Sequence, residues 1–327
     1  MSFRVLATAR SFCNSDGPHH DFLRANDCQV DLRPPDHPMS AAELAELVPG
    51  YDGLILGLDD CNAEVIARAD RLQVISRYGS GVDKVDLAAA TARGIVVTNT
   101  PGVNRIAVAE LTIGLMFCLA RQIPQVVSNA RAGVWTRAHG WELYEKTLGL
   151  IGLGAIGREV AARANALGMH VIAHDPYATS DPNRVADLVD LETLLREAHI
   201  VSLHCATTPE TTNLINAERL AMMRDGAYLV NTARGELVDE GALYDALASG
   251  KLGGAASDVF QHEPPEGSPL LALDNFLPTL HMAGTTQESV QRMAMLAAQN
   301  VVDVLRGELC GYTLNPEALE IRKQRGY

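Results

Sequence analysis

Short β-branched or aliphatic runs alternate with longer segments of helical period along almost the whole chain. That alternation is the pattern of a parallel sheet covered by helices on both faces. A first series of strand-like runs falls at residues 4–8, 29–32, 53–56, 73–76 and 95–98, and a second at 147–153, 171–174, 200–204, 227–231, 254–259 and 277–280. Each series suffices for one doubly wound sheet, and 327 residues exceed one ordinary core. The reading is therefore α/β with two doubly wound parallel-sheet domains. Ser40 with Glu43 predicts a capped helix over 41–47. Val290, Met293, Leu296, Val301 and Leu305 predict one long amphipathic helix over 287–306. Between the two series, the Ala-, Leu-, Ile- and Met-rich run 104–121 reads as a buried core or interdomain helix, and an irregular stretch with Trp135 and Trp141 follows it.

Charge narrows the partners. With 27 basic and 40 acidic residues the net charge is −13, which opposes phosphate backbones and anionic membrane surfaces. Nucleic acid and membranes are not expected partners. Cys13, Cys28, Cys61, Cys118, Cys205 and Cys310 form no C-x-x-C pair and no ligand-like cluster with histidine, so they read as reduced thiols and no metal is expected. The N-terminus lacks a signal-peptide core and no stretch supplies about 18 uninterrupted apolar residues, which makes a cytoplasmic chain the expectation.

The run Thr147-Leu148-Gly149-Leu150-Ile151-Gly152-Leu153-Gly154-Ala155-Ile156-Gly157 places G-x-G-x-x-G directly after an apolar strand and at the opening of a helix. In that context Gly152 permits the tight turn, Gly154 lets the backbone approach a pyrophosphate, and Gly157 lets helix and strand pack closely. The helix N-terminus presents amides to the anion. The next strand-like run ends in Asp175, placed to accept hydrogen bonds from an adenosine ribose diol. A carboxylate repels a 2'-phosphate, and Pro176-Tyr177-Ala178-Thr179 offers no arginine to receive one. The expected cofactor is NAD.

Three later segments put chemistry-bearing residues just past strand-like runs: Arg234 in Asn231-Thr232-Ala233-Arg234-Gly235, Glu263 in Ser257-Asp258-Val259-Phe260-Gln261-His262-Glu263-Pro264, and His281 in Leu280-His281-Met282-Ala283-Gly284. Singly these read as a solvated cation, a loop charge and a packed imidazole. Together with the glycine motif they resemble the D-isomer-specific 2-hydroxyacid dehydrogenase family. Further matching stretches are Ser76-Arg77-Tyr78-Gly79-Ser80-Gly81-Val82-Asp83, Val97-Thr98-Asn99-Thr100-Pro101-Gly102, Val108-Ala109-Glu110-Leu111 and His204-Cys205-Ala206-Thr207-Thr208-Pro209-Glu210-Thr211, so the likeness covers almost the whole chain.

The resemblance implies an oxidoreductase moving a hydride between nicotinamide and a D-2-hydroxy acid. Such a reaction needs a cation to hold the carboxylate and polarise the carbonyl, and an acid for the developing alkoxide. By the match Arg234 is that cation, and His281 is the acid in reduction and the base in oxidation. Glu263 is its partner, since an opposite charge favours imidazolium. The resemblance also implies a flavodoxin-like substrate domain from residues 1–100 and 287–327, with a Rossmann cofactor domain, 101–286, inserted and a cleft at the junction. Cofactor contacts carried over are Ser80, Ala155, Ile156, Asp175, Cys205, Pro209, Thr232 and Asp258, the last near the nicotinamide amide. Gly79, Ser80 and Gly81 would cradle the substrate carboxylate, and a homodimer would form through 104–141.

Ser76-Arg77-Tyr78-Gly79 is similar to phosphoglycerate dehydrogenases, in which an arginine at this place helps hold a distal phosphate, so 3-phosphoglycerate is the first expectation. Gly57 departs from that group, which often carries a second arginine there. Arg10 could reach the same pocket. Glyoxylate, hydroxypyruvate or a sulfonated hydroxy acid are the alternatives. The chain ends at Tyr327, so the regulatory domain of longer phosphoglycerate dehydrogenases is not expected. A rival class is a non-catalytic NAD-sensing module like the corepressors of this fold, although no basic tail or peptide-docking tract marks one. An L-specific dehydrogenase would carry its glycine motif near the N-terminus, whereas here it begins at Gly152. If Asp175 selects the cofactor, fluorescence titration finds NADH binding well and NADPH binding markedly more weakly; equal affinities refute the selection.

Overall fold

In the computed structural model residues 2–178, 185–308 and 310–325 are described, which leaves Thr179 and Tyr327 outside. The chain divides into two units, Met1–Asn104 with Thr285–Tyr327, and Arg105–Gly284. In the first, β1 (Phe3–Ala7), β2 (Cys28–Leu32), β3 (Gly53–Leu56), β4 (Val74–Arg77) and β5 (Val96–Thr98) pair in parallel in the order β2-β1-β3-β4-β5. That is the flavodoxin-like order. Alternate residues of each strand face opposite sides, and each side has its own core. Val5, Ile55, Val74 and Val96 pack with Phe12, Leu23 and the long helix Gln287–Leu305 through Met293, Ala294, Ala297 and Val301. Leu6, Leu54, Ile75 and Val97 pack with Leu44, Val65 and Ile66 on the other side.

Local chemistry sets the helix boundaries. The helix Ala41–Leu47 starts at a reciprocal capping box, in which Glu43 N donates to Ser40 Oγ (3.4 Å) and Ser40 N donates to Glu43 Oε2 (2.8 Å). The long helix starts at Thr286, whose hydroxyl accepts from Ser289 N. Asn315, only 4% exposed, ties the C-terminal segment to the sheet edge. Its Oδ1 accepts from Val97 N (2.7 Å), and its Nδ2 donates to Ile95 O (2.9 Å) and Thr91 Oγ1 (3.0 Å).

In the second unit β6 (Thr147–Ile151), β7 (His170–His174), β8 (Asp187–Leu188), β9 (Ile200–Leu203), β10 (Ala227–Asn231), β11 (Leu252–Ser257) and β12 (Phe276–Pro278) form one parallel sheet. Its order, β12-β11-β10-β9-β6-β7-β8, is the doubly wound Rossmann order with one strand added. Strand β8 escapes a sequence reading because Asp187 and Leu188 are both exposed and form no apolar run.

The apolar run after Asn104 is the helix Arg105–Ala120, which packs on the helix Ala155–Ala166 and buries Val108, Thr112, Leu115, Met116 and Leu119. Where the sequence reading expected irregular chain, a second helix, Ile123–Arg131, follows; Ile123, Val126, Val127 and Ala130 give it a short apolar stripe, but none of its residues is buried. Trp141 stacks on Tyr228 at 5.1 Å and donates its indole N–H to the phenol oxygen, while Trp135 is 90% exposed. Among the described residues no single helix is long and apolar enough to cross a membrane. Replacing Asn315 with alanine strands Val97 N–H and Ile95 C=O in the core, and such groups cost about 1–3 kcal/mol. The expected result is a lower urea midpoint with an unchanged m-value; an unchanged midpoint shows that the tie carries no stability.

Candidate active site

Parallel pairing sets His174, Ile151, Leu203, Asn231, Ser257 and Pro278 side by side across β7, β6, β9, β10, β11 and β12. Each is the last residue of its strand. With about 4.8 Å between strands this row spans about 24 Å. Asp175, Gly152, His204, Thr232, Asp258 and Thr279 follow it directly. The winding reverses on either side of β6, and ligands of such sheets sit outside the carboxyl ends at that point.

The three motif glycines are needed for different reasons. Gly152 has φ +98°, and a Cβ on it would stand 2.7 Å from Cys205 N. A Cβ on Gly157 would stand 2.3 Å from Gly152 O. Both are therefore required by the turn itself. A Cβ on Gly154, the N-cap of Ala155–Ala166, would meet no atom of the chain within 4 Å. That open approach to the Ala155 and Ile156 amides fits a pyrophosphate. The Asp175 carboxylate is lodged beside the loop by Leu153 N (2.8 Å) and Tyr177 N (2.9 Å). These use two of its roughly four acceptor sites, which leaves capacity for a ribose diol.

The remaining cofactor candidates sort by position. Cys205 borders the glycine turn, and burial pushes its thiol up to about 11, so it stays protonated and is no thiolate nucleophile at ordinary pH. The Thr232 hydroxyl shares a 2.9 Å hydrogen bond with Thr112 Oγ1. Pro209 is exposed in the turn after β9. Burial pushes the neighbouring His204 down to about 3, with Ser202 Oγ 2.9 Å from its Nε2, so that ring is neutral and donates no proton at ordinary pH.

Arg234 sits three residues past the end of β10, in a turn shaped by the buried Asn231. That side chain accepts from Ala233 N (3.0 Å) and donates to Arg234 O (2.8 Å). Glu263 bonds twice: Oε1 accepts from Phe260 N (3.0 Å), and Oε2 lies 2.7 Å from His281 Nδ1. The two side chains are 29% (His281) and 24% (Glu263) exposed. Burial pushes the Glu263 carboxyl upward, but the hydrogen bond and charge of His281, the Phe260 amide and the charge of Arg234 outweigh it. The net displacement is below the ordinary glutamate value. Glu263 and His281 thus pair directly, and the positive charge of Arg234 adds the smallest of these influences on Glu263.

The sequence marked Asp258 as a cofactor contact and missed what its carboxylate does within the chain. Asp258 is 1% exposed. It accepts from Thr279 Oγ1 (2.5 Å), Met282 N (3.0 Å) and Ala283 N (2.8 Å), and its carbonyl accepts from His281 N (2.7 Å). This clamp holds His281 at φ +50°, a conformation that side-chain-bearing residues rarely adopt. No sequence signal distinguishes it from any other acidic residue after a strand.

Arg77, Gly79, Ser80 and Gly81 belong to the first unit. Arg77 ends β4 at 6% exposure, and its guanidinium donates to Tyr78 O. Gly79 has φ +138°, and its N–H donates to Thr100 Oγ1 (2.8 Å); Ser80 is exposed. Arg10 donates to Pro35 O (2.8 Å) and Asp36 O.

Residues 113–283 match the family model described as D-isomer specific 2-hydroxyacid dehydrogenase, NAD binding domain. The chain belongs to this family. NAD is the cofactor of the matched domain. The D-3-phosphoglycerate dehydrogenase of Methanocaldococcus jannaschii is 43% identical over 286 residues, 85% of this chain and 54% of that protein. The chain therefore spans about half the length of that relative. The glyoxylate reductase of Thermofilum pendens is 43% identical over 298 residues, 88% of each chain. The crystal structure of the TT0316 protein from Thermus thermophilus superposes with a TM-score of 0.87 at 43% identity, covering 95% of this chain and 99% of that one.

A carboxyl whose folded value is depressed stabilises the fold above its unfolded value, and that stabilisation is lost as pH falls through the folded one. Comparing the unfolding free energy of the parent and Glu263→Gln should therefore show the parent ahead above about pH 4.5, the ordinary glutamate value, and the gap closing at lower pH. A gap that is constant with pH refutes the ion pair.

Proposed function

We propose that this chain is an NAD-dependent oxidoreductase that interconverts a D-2-hydroxy acid and its 2-keto acid. One observation carries the reading: the 2.7 Å contact between Glu263 Oε2 and His281 Nδ1, within the field of Arg234, past the same strand ends that carry the glycine turn and Asp175. On this reading Gly152, Gly154, Gly157 and the amides of Ala155 and Ile156 hold the pyrophosphate, and Asp175 holds the adenosine ribose. Cys205, Pro209, Thr232, Asp258 and Ser80 line the rest. Bound NAD supplies or accepts the hydride.

The chain's own part is binding and proton handling. Arg234 holds the substrate carboxylate and polarises the carbonyl through a fixed positive charge. Glu263 occupies Nδ1 of His281, which leaves Nε2 as the atom that holds the moving proton. In reduction Nε2 delivers that proton to the forming alkoxide, and in oxidation it takes the proton back. Glu263 stabilises the imidazolium and fixes the ring.

For the substrate, 3-phosphoglycerate is supported by Arg77 in its Ser76-Arg77-Tyr78-Gly79 setting, with Gly79, Ser80 and Gly81 as the carboxylate cradle, and by the D-3-phosphoglycerate dehydrogenase relative. Three observations favour glyoxylate or hydroxypyruvate instead: Gly57 supplies no second arginine, Arg10 is spent on Pro35 and Asp36, and the Arg77 guanidinium turns onto its own loop. The exposed helix Ile123–Arg131, with Val127 and Trp135 uncovered, supports a homodimer surface.

NADH oxidation with glyoxylate, hydroxypyruvate and 3-phosphohydroxypyruvate tests the reading. His281→Ala should lower kcat by about 10² to 10⁴, the typical loss for an acid-base group, with NADH affinity retained. Arg77→Ala should reduce kcat/KM only for the phosphorylated substrate if that is the true one; an equal effect on all three sinks the distal-phosphate role. NADH binding without turnover on any 2-keto acid would point to the NAD-sensing alternative.

A further inference from the structure

Two consecutive amides in the loop after β11 donate to two different carboxylates. Phe260 N donates to Glu263 Oε1 (3.0 Å), and Gln261 N donates to Glu240 Oε1 (2.8 Å). Glu263 leads on to His281. Glu240 comes from the arginine side: it opens the helix Glu240–Ala248, which follows the short 3-10 turn Gly235–Leu237 next to Arg234.

The same peptide is gripped sterically from the arginine turn. A Cβ on Gly235 would stand 2.0 Å from Phe260 C and 2.3 Å from Gln261 N, so backbone lies on backbone there. The Gln261 side chain donates to Val238 O (2.8 Å), and the Phe260 ring is buried edge-on against Phe276 at 6.1 Å. The segment bearing Arg234 and the segment bearing Glu263 are therefore joined at one peptide unit. Glu240 supplies the charged hydrogen bond of that joint.

We propose that Glu240 is a positioning residue: by fixing the Phe260–Gln261 peptide through Gln261 N–H it sets the adjoining Phe260 N–H, from which Glu263 takes its own hydrogen bond, and so holds Glu263 against His281. Its kinetic consequence rests on the oxidoreductase reading above. Its structural consequence does not, because the state of Glu263 can be followed directly. A carboxylate displaced from His281 loses the interaction that holds its titration low.

The experiment uses the full chain with ¹³C-labelled glutamate side chains, the Glu263 resonance being assigned by its loss in Glu263→Gln. In Glu240→Ala the Glu263 midpoint should rise toward the ordinary 4.5, and kcat should fall about 10- to 100-fold with a smaller change in KM, as a misplaced catalytic pair would give. Glu240→Gln keeps an acceptor oxygen in place and should restore both readouts. Glu240→Asp keeps the charge at the helix start but shortens the reach, so it should behave like the alanine variant and serves if that one does not fold. An unmoved Glu263 midpoint in both the alanine and aspartate variants overturns the proposal, as does a glutamine variant that recovers nothing. A moved midpoint in a chain that turns over no 2-keto acid upholds the positioning role while removing the oxidoreductase reading; normal turnover with no shift does the reverse.

Discussion

Parallel hydrogen bonding that brings six strand ends level is the constraint on which the candidate site depends. Glycine turn, aspartate, threonine, arginine turn and histidine turn are spread between Gly152 and His281, and only the common register of β7, β6, β9, β10, β11 and β12 lines them up. A slip by one residue would turn every following side chain to the other face. An irregularity in these pairings lies at the far end, where Ala227 pairs with Leu252 and Tyr228 with Gly254. Gly253 and Gly254 absorb it: a Cβ on Gly253 would stand 2.6 Å from Gly226 O. By Asn231 and Ser257 the strands are in step.

On that frame the chain places its most costly groups. His281 at φ +50° carries a backbone penalty of about 1–2 kcal/mol, and Asp258 buries a carboxylate with no cation bridged to it among the described residues. Three donors from the same short turn answer both. Hydrogen bonds to a charged group are worth about 1.5–3 kcal/mol each, so the clamp exceeds the strain and fixes the ring's direction. Glu263 is handled differently, by an imidazole, an amide and the nearby guanidinium, so its charge depends on the groups that surround it.

Much of this could be read before any coordinates. Apolar runs bounded by turns located eleven of the strands, because buried parallel strands advertise themselves through both faces. The two-residue β8 was illegible because it forms no apolar run, whereas the helix Ile123–Arg131 carried a short stripe in Ile123, Val126, Val127 and Ala130 that the reading of irregular chain passed over. The glycine turn was legible from its spacing after a strand, whereas Arg234, Glu263 and His281 were singled out by their places after strand-like runs together with the resemblance to the family. What Asp258, Gly235 and Glu240 do was not. Each works through backbone atoms distant in sequence, such as the amides of Met282 and Gln261 or the carbonyl carbon of Phe260, and no pattern of side chains encodes who receives a main-chain proton.

The three glycines of the turn differ in whom they serve. Gly152 and Gly157 are glycine because the protein would otherwise collide with itself, so any chain that folds this way must keep them whether or not it binds anything. Gly154 is free of that obligation. A relative that has abandoned its dinucleotide would be at liberty to carry a larger residue at this position while keeping the other two, and a survey of that single column would separate members that still hold a nucleotide from members that have kept only the scaffold.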